Sequence, residues 1–277
     1  MAKKISIFTK IRHRNELNPT FSSLPISAKR VLFLALSQIN PREAFPSDHV
    51  FYVTVDDYIK WVDIEDKSAA YKALKDGAKI LHSSLLNLTT KEIIESAKEL
   101  NLPFNEKNAP DDGFDLRFFE FAGYHKKEGR VSLSFTNRAR IYLTKLVGSE
   151  KYYTTQILLS TLRLSSVNSS ALYQLIRKFY SYNKNKLYFD IDICSLKDEL
   201  GLYDFNENNE KVYKYPNYPI FKRDVLNKSI DEIIQKTEIK KIEFDVIEKE
   251  GRAASKLRFK FLIEEIDTSN LDGLVYE

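Results

Sequence analysis

The chain has 277 residues, 43% of them hydrophobic, which is enough for two domains of ordinary size, and its one cysteine, Cys194, excludes an internal disulfide or a multi-cysteine zinc site. The net charge of +4 is unevenly spread: residues 1–150 hold 23 basic and 19 acidic side chains, residues 151–262 hold 20 and 15, and the stretch 263–277 has five acids and no base. No apolar run approaches the ~20 residues of a membrane span, and Met1 to Lys10 has no apolar stretch of the signal-peptide kind, so a soluble cytoplasmic protein is expected.

In chain order, residues 26–39 predict a strongly apolar helix stopped by Asn40-Pro41. Its six consecutive apolar residues, Val31 to Leu36, exceed one helix face, so the helix is either buried on most sides or partly at an interface, and a self-association surface follows from the second case. Leu17, Leu24 and Val31 stand seven apart, but Pro19 and Pro25 break any continuous zipper. Residues 50–55 read as a strand, and Asp56 and Asp57 open a short helix through Trp61. Ser68 is expected to cap a second helix whose buried face is Tyr71, Leu74, Ala78 and Leu81. Residues 91–114 read as an insertion, with Ile93, Ile94, Ala97 and Leu100 on a short helix and 108–113 a loop. Strands at 115–124 and 130–135 then form a hairpin around Lys126-Lys127-Glu128-Gly129, and Thr136 caps a helix over 137–146.

The domain boundary is expected between Leu146 and Ser165, with 152–164 a helix or connector packed on one domain. Beyond it, Asn168-Ser169-Ser170 predicts a helix start, and Leu172, Leu175, Ile176 and Phe179 follow on one face. Residues 187–191 read as a short strand, and Asp192 opens a helix through Leu200 that Gly201 ends. Residues 204–214 read as a polar loop without a packing pattern. A long helix follows, with Phe221, Val225, Leu226, Ile230, Ile233 and Ile234 as its apolar stripe. Residues 239–247 and 256–263 read as strands flanking Lys249-Glu250-Gly251-Arg252.

The order helix, strand, helix, helix, hairpin occurs twice. It is the order of a winged helix, in which the middle helices form a helix-turn-helix and the hairpin forms the wing. The turn Lys127-Glu128-Gly129-Arg130 recurs as Lys249-Glu250-Gly251-Arg252 at the same step, although Gly suits any tight hairpin. The expected fold is therefore helix-rich α+β: two tandem winged-helix domains, 1–150 and 151–263, with an acidic tail at 264–277.

A reading helix buries one face and shows the other to the major groove. On the stripe begun by Phe221, the residues pointing elsewhere are Lys222, Arg223, Asn227 and Lys228. Arg can fork onto guanine and Asn can pair with adenine, whereas Lys suits phosphate. Lys249, Arg252 and Lys256 on the second wing are phosphate or minor-groove candidates, and Lys72, Lys75 and Lys79 form a basic stripe suited to backbone contact in the first domain. For each of these the competing reading is an ordinary solvated surface. The signals for chemistry are weak. His13, His49, His82 and His125 are scattered without metal-ligand spacing, Asp111-Asp112 reads as a turn, and there is no phosphate-binding glycine loop. A nicking tyrosine would need a histidine cluster, so no enzyme, cofactor or metal is expected.

The stretches Ser170-Ala171-Leu172-Tyr173-Gln174-Leu175-Ile176 with Tyr180, Tyr218-Pro219-Ile220-Phe221-Lys222-Arg223-Asp224-Val225-Leu226-Asn227-Lys228, Lys249 to Phe261, and Leu24-Pro25-Ile26 to Pro41 resemble the theta-type plasmid replication initiators, the RepB or Rep superfamily 3 family. The resemblance runs over about 5–265 and is stronger in the second half. It implies two winged helices that bind directly repeated double-stranded origin sequences (iterons), open nearby AT-rich DNA, recruit the host replicative helicase and, as a homodimer formed through the first domain, repress their own gene. It places Lys222, Arg223 and Asn227 in the iteron-reading helix, with Asn227 where many relatives have proline. A winged-helix repressor without initiation activity is the main alternative, and a module that binds only proteins is the third.

Overall fold

The computed structural model describes residues 5–62, 64–99, 116–147, 152–208 and 210–264. The first unit begins with strand β1 (Lys10–Arg14), a 3₁₀ turn, α1 (Asn18–Ser23) and α2 (Ile26–Leu36). It continues with β2 (Phe51–Thr54), α3 (Val55–Val62), α4 (Lys67–Ser83), α5 (Thr90–Glu99), β3 (Phe119–His125), β4 (Arg130–Phe135) and α6 (Asn137–Ile141). The second runs β5 (Tyr153–Ile157), α7 (Leu158–Arg163), α8 (Val167–Tyr182), β6 (Tyr188–Asp192), α9 (Ile193–Glu199), β7 (Tyr203–Phe205) and β8 (Lys211–Tyr213). It ends with α10 (Tyr218–Phe221), a π-helical turn (Lys222–Asn227), α11 (Lys228–Lys236), β9 (Ile239–Glu250) and β10 (Ala253–Ile263).

Each unit folds a three-stranded antiparallel sheet with the same strand order, β2-β4-β3 in the first and β6-β10-β9 in the second. The wing hairpin thus pairs its returning strand with the short strand that follows the first long helix, which is the winged-helix topology predicted from the element order. Gly129 and Gly251 take φ of +59° and +60° at the two wing turns, a left-handed conformation that costs glycine nothing. Among the described residues no helix is long and apolar enough to cross a membrane.

The repeat reaches further back than the periodicity shows. A strand and a short helix precede the first long helix of each unit: β1 and α1 before α2, β5 and α7 before α8. The two leading strands pair with each other, Lys10 opposite Ile157 through Arg14 opposite Tyr153, and stitch the units together. The segment 152–164, expected as a helix or connector, is therefore a strand and a helix. The hydrophobic cores part between Leu162, which lies in the first, and Leu164, which lies in the second.

Val31 to Leu36 are all at most 2% exposed, so of the two possibilities for that run burial within the chain holds, and this helix offers no association surface. α2 is enclosed by α4, α7 and β2, which explains why it has no polar face there. The cap of α4 is Asp66, whose carboxylate accepts from the Ser68 amide at 2.8 Å; Ser68 is inside the helix, not its cap. Likewise α8 starts earlier than predicted, with Ser166 accepting from Ser169. Residues 204–214 are no plain loop: β7 and β8 form a small hairpin in which Tyr203 opposes Tyr213 and Phe205 opposes Lys211. The Lys211 ammonium lies 4.6 Å from the Tyr203 ring, so this short ribbon is held by cation–π and ion-pair contacts rather than by an apolar face. The helix expected near residue 91 is α5; Leu100, the loop 108–113 and residue 115 lie outside the described residues.

Candidate nucleic-acid interface

The helix-turn-helix of the second unit is α9, the β7–β8 hairpin and the continuous helix 218–236. Pro219 stands in the first helical turn, where its missing N–H leaves nothing unsatisfied. Phe221, Val225, Leu226, Ile230 and Ile233 are buried, while Lys222, Arg223, Asn227, Lys228 and Asp231 are exposed. The middle of the helix is one π turn, Lys222–Asn227. Hydrogen bonds reaching five residues back widen that turn and bring residues five apart over one another. Lys222 and Asn227 line the same groove beside β9, and Arg223 and Lys228 meet the same carboxylate, Asp224. The turn also explains how Phe221 and Leu226, five apart, both enter the core.

Lys197, on α9, escapes a reading by charge because it does not face solvent. It is 6% exposed, and its Nζ donates to the Tyr215 carbonyl at 2.8 Å. Tyr215 has a φ of +53°, rare for a residue with a side chain. The same ammonium is 5.3 Å from the Phe221 ring, and burial pulls its pKa below the ordinary lysine value. Lys197 thus clamps the strained entry to the reading helix onto the preceding helix.

The exposed cations are not all equally free. Arg223 forks onto its neighbour Asp224 at 3.1 and 2.7 Å, and Lys228 reaches the same carboxylate at 3.2 Å. Arg223, followed by Lys228, holds the Asp224 carboxyl down at about 2. An exposed pair of this kind gains little over hydration and can open for a phosphate or a base edge. Lys222 sits with its ammonium 5.4 Å from the Phe244 ring of β9. It shares an open groove with Asn227, Ile230 and Asp231 from the helix and Ile242, Glu243, Phe244 and Asp245 from β9. Two of the carboxylates that border it are already paired, Glu243 with Lys241 at 2.9 Å and Asp245 with Lys260 at 3.2 Å, which lessens their repulsion of a phosphate.

On the second wing, Lys249 and Arg252 are exposed at the tip. Lys256 is different: its ammonium meets Glu248 at 3.2 Å and Asp192 at 4.0 Å across the sheet. Arg258 bonds Asp190 at 2.6 and 2.7 Å, and Lys260 bonds Asp245 at 3.2 Å, so the outer face of this sheet is a lattice of cross-strand ion pairs. In the first unit, Lys72 and Lys79 on α4 are exposed, and the Lys75 ammonium lies 5.7 Å from the Tyr124 ring of the wing. The outer face of the first sheet contrasts with the second: Tyr52 and Phe121 are exposed around Ser132, Ser134 and Gly123, with Arg130 stacked 4.2 Å over Tyr52. Among the described residues no group of three or more His, Cys, Asp and Glu side chains can hold a metal ion.

Two family models match the chain, that of the initiator replication protein WH1 domain over residues 10–177 and that of the initiator Rep protein WH2 domain over 205–261. The PI protein of Escherichia coli is 49% identical over 261 residues, which is 94% of this chain and 85% of that protein. A crystal structure of the Pi initiator protein in complex with iteron DNA superposes with a TM-score of 0.85 at 45% identity, covering 95% of this chain and all of that one.

Proposed function

The chain belongs to the initiator replication protein family, and on that premise we propose that it is a plasmid replication initiator that binds directly repeated origin duplexes through both winged helices. The observation that supports this most is the likeness, over 95% of the chain, to a relative solved with iteron DNA, combined with a reading helix that turns Arg223 and Lys228 to solvent. The second unit reads sequence with Lys222, Arg223, Asn227 and Lys228, and Lys249 and Arg252 on its wing touch the backbone. Lys72, Lys75 and Lys79 of the first unit add phosphate contacts. Lys256, held by two carboxylates, contributes least of the set.

Bound at its repeats in the cytoplasm, the protein opens neighbouring DNA, hands it to the host helicase, and represses its own gene as a homodimer. The outer face of the first sheet suits the dimer: it is small-residue and aromatic where the equivalent face of the second sheet is covered with ion pairs. A plasmid carrying only this gene and its flanking DNA tests initiation. Replication that depends on the gene supports it, and failure in a suitable host leaves repression alone. In gel shifts, affinity that falls steeply with salt is required, because phosphate neutralisation releases counterions; salt-independent binding contradicts any DNA reading.

A further inference from the structure

We propose that Glu238 is the positioning residue that fixes the reading helix at a set angle to the first unit, so that the two units meet one DNA segment as a rigid pair; this rests on the DNA-binding function proposed above. Glu238 lies just beyond the end of α11 and is 8% exposed. Its Oε2 accepts from Ser160 Oγ at 2.5 Å. Ser160 is on α7, whose Leu158 and Leu162 are packed in the first core. Its Oε1 accepts from the Tyr173 hydroxyl at 2.9 Å and from Arg177 Nη1 at 3.0 Å, both on α8. Arg177 Nε in turn donates to the Thr155 carbonyl of β5 at 2.8 Å, and the Tyr173 hydroxyl accepts from the Ile157 amide at 3.1 Å. β5 is the strand that pairs with β1 of the first unit.

These side-chain bonds all lead to the seam between the units. A second carboxylate does the same from within the reading helix. Glu232 accepts from the Ser165 amide and hydroxyl at 2.8 and 2.6 Å and from the Ser166 amide at 3.3 Å, in the link between α7 and α8. A buried ion pair adds little stability over a well-packed apolar contact of the same volume. What it adds is direction, because hydrogen bonds weaken steeply away from their preferred angles. Two carboxylates six residues apart, both fastened to the joining segment, leave the reading helix no rotation of its own about the first unit.

The test uses the full chain and a duplex selected by it from a random library. Hydroxyl-radical footprinting locates the contact blocks of the two units, and five base pairs inserted between the blocks put them on opposite faces of the helix, since a turn is about 10–10.5 base pairs. The rigid wild type is expected to lose at least about 30-fold in affinity on insertion, the scale of a lost second contact. Ser160→Ala and Glu238→Gln should bind the unaltered duplex more weakly and lose less than about threefold on insertion, with circular dichroism unchanged. Ser160→Ala removes a single hydroxyl, so it decides the matter alone if Glu238→Gln fails to fold. A folded variant that keeps the full insertion penalty, or a wild type that has none, overturns the proposal. A wild type that selects no duplex at all refutes the DNA function, and this inference with it, and is distinguishable from both.

Discussion

Gly77 gives a sharp test of how the first unit is packed. It lies on α4 where this helix crosses α2, and a Cβ added there would stand 2.6 Å from the Ser27 carbonyl oxygen and 2.8 Å from Val31 Cγ2. The oxygen is backbone and cannot rotate away, and Val31 is fully buried, so the helices must part. In a free helix Gly→Ala gains about 1 kcal/mol of propensity. Overpacking a tight core costs about 1–3 kcal/mol, and a clash with backbone belongs at the upper end. Gly77→Ala should therefore be destabilised by a net ~1–2 kcal/mol, with a Tm lower by roughly 2–4 °C for each kcal/mol. Thermal and urea unfolding followed by circular dichroism measure this, with Lys79→Ala on the exposed face of the same helix as control. A Gly77→Ala protein as stable as the wild type would falsify the close crossing, because propensity alone would then rule.

Three further predictions concern charge. Burial brings the Lys29 pKa down to about 7 on α2, so between that value and 10.5 the unfolded chain binds more protons and wild-type stability rises with pH. Lys29→Met should therefore be more stable at pH 7, with the advantage shrinking toward pH 10; urea unfolding that finds it weaker at pH 7 contradicts the argument. At Glu232 burial raises the pKa, yet hydrogen bonds from Lys236 and from the Ser165 hydroxyl and amide outweigh it and hold the carboxyl at about 2. Its stabilisation is complete above the ordinary value of 4.5 and is lost as pH falls through 2, so the wild-type and Glu232→Gln stability curves should converge over that window. Curves that stay parallel would show that the charge is not what matters. Arg223→Ala should weaken binding to the selected duplex by roughly ten- to hundredfold if the guanidinium pairs with a base. Equal loss on random DNA would assign it to phosphate.

The tandem winged helix was legible because its signals are local. The buried stripe from Phe221 to Ile233, the alternation around Phe259 and the paired glycine turns at 129 and 251 each depend on residues within a few positions of one another. β1 and β5 escaped because their paired residues are 139 to 147 positions apart and bury polar side chains, with His13 Nε2 3.0 Å from the Gln156 side-chain nitrogen, so no apolar alternation marks them. The basic residues of the reading helix could be picked from its exposed face, but not their partners. That Arg223 is held by Asp224 while Lys256 is tied across the sheet depends on rotamer and strand register. The sequence by itself determined two units, their element order and which helix carries the exposed cations, because helix and strand periods are properties of short segments. Only the tertiary structure decided the clamp at Lys197 and the carboxylate of Glu238 at the seam, because each depends on groups that the fold, and not the chain order, brings within hydrogen-bonding distance.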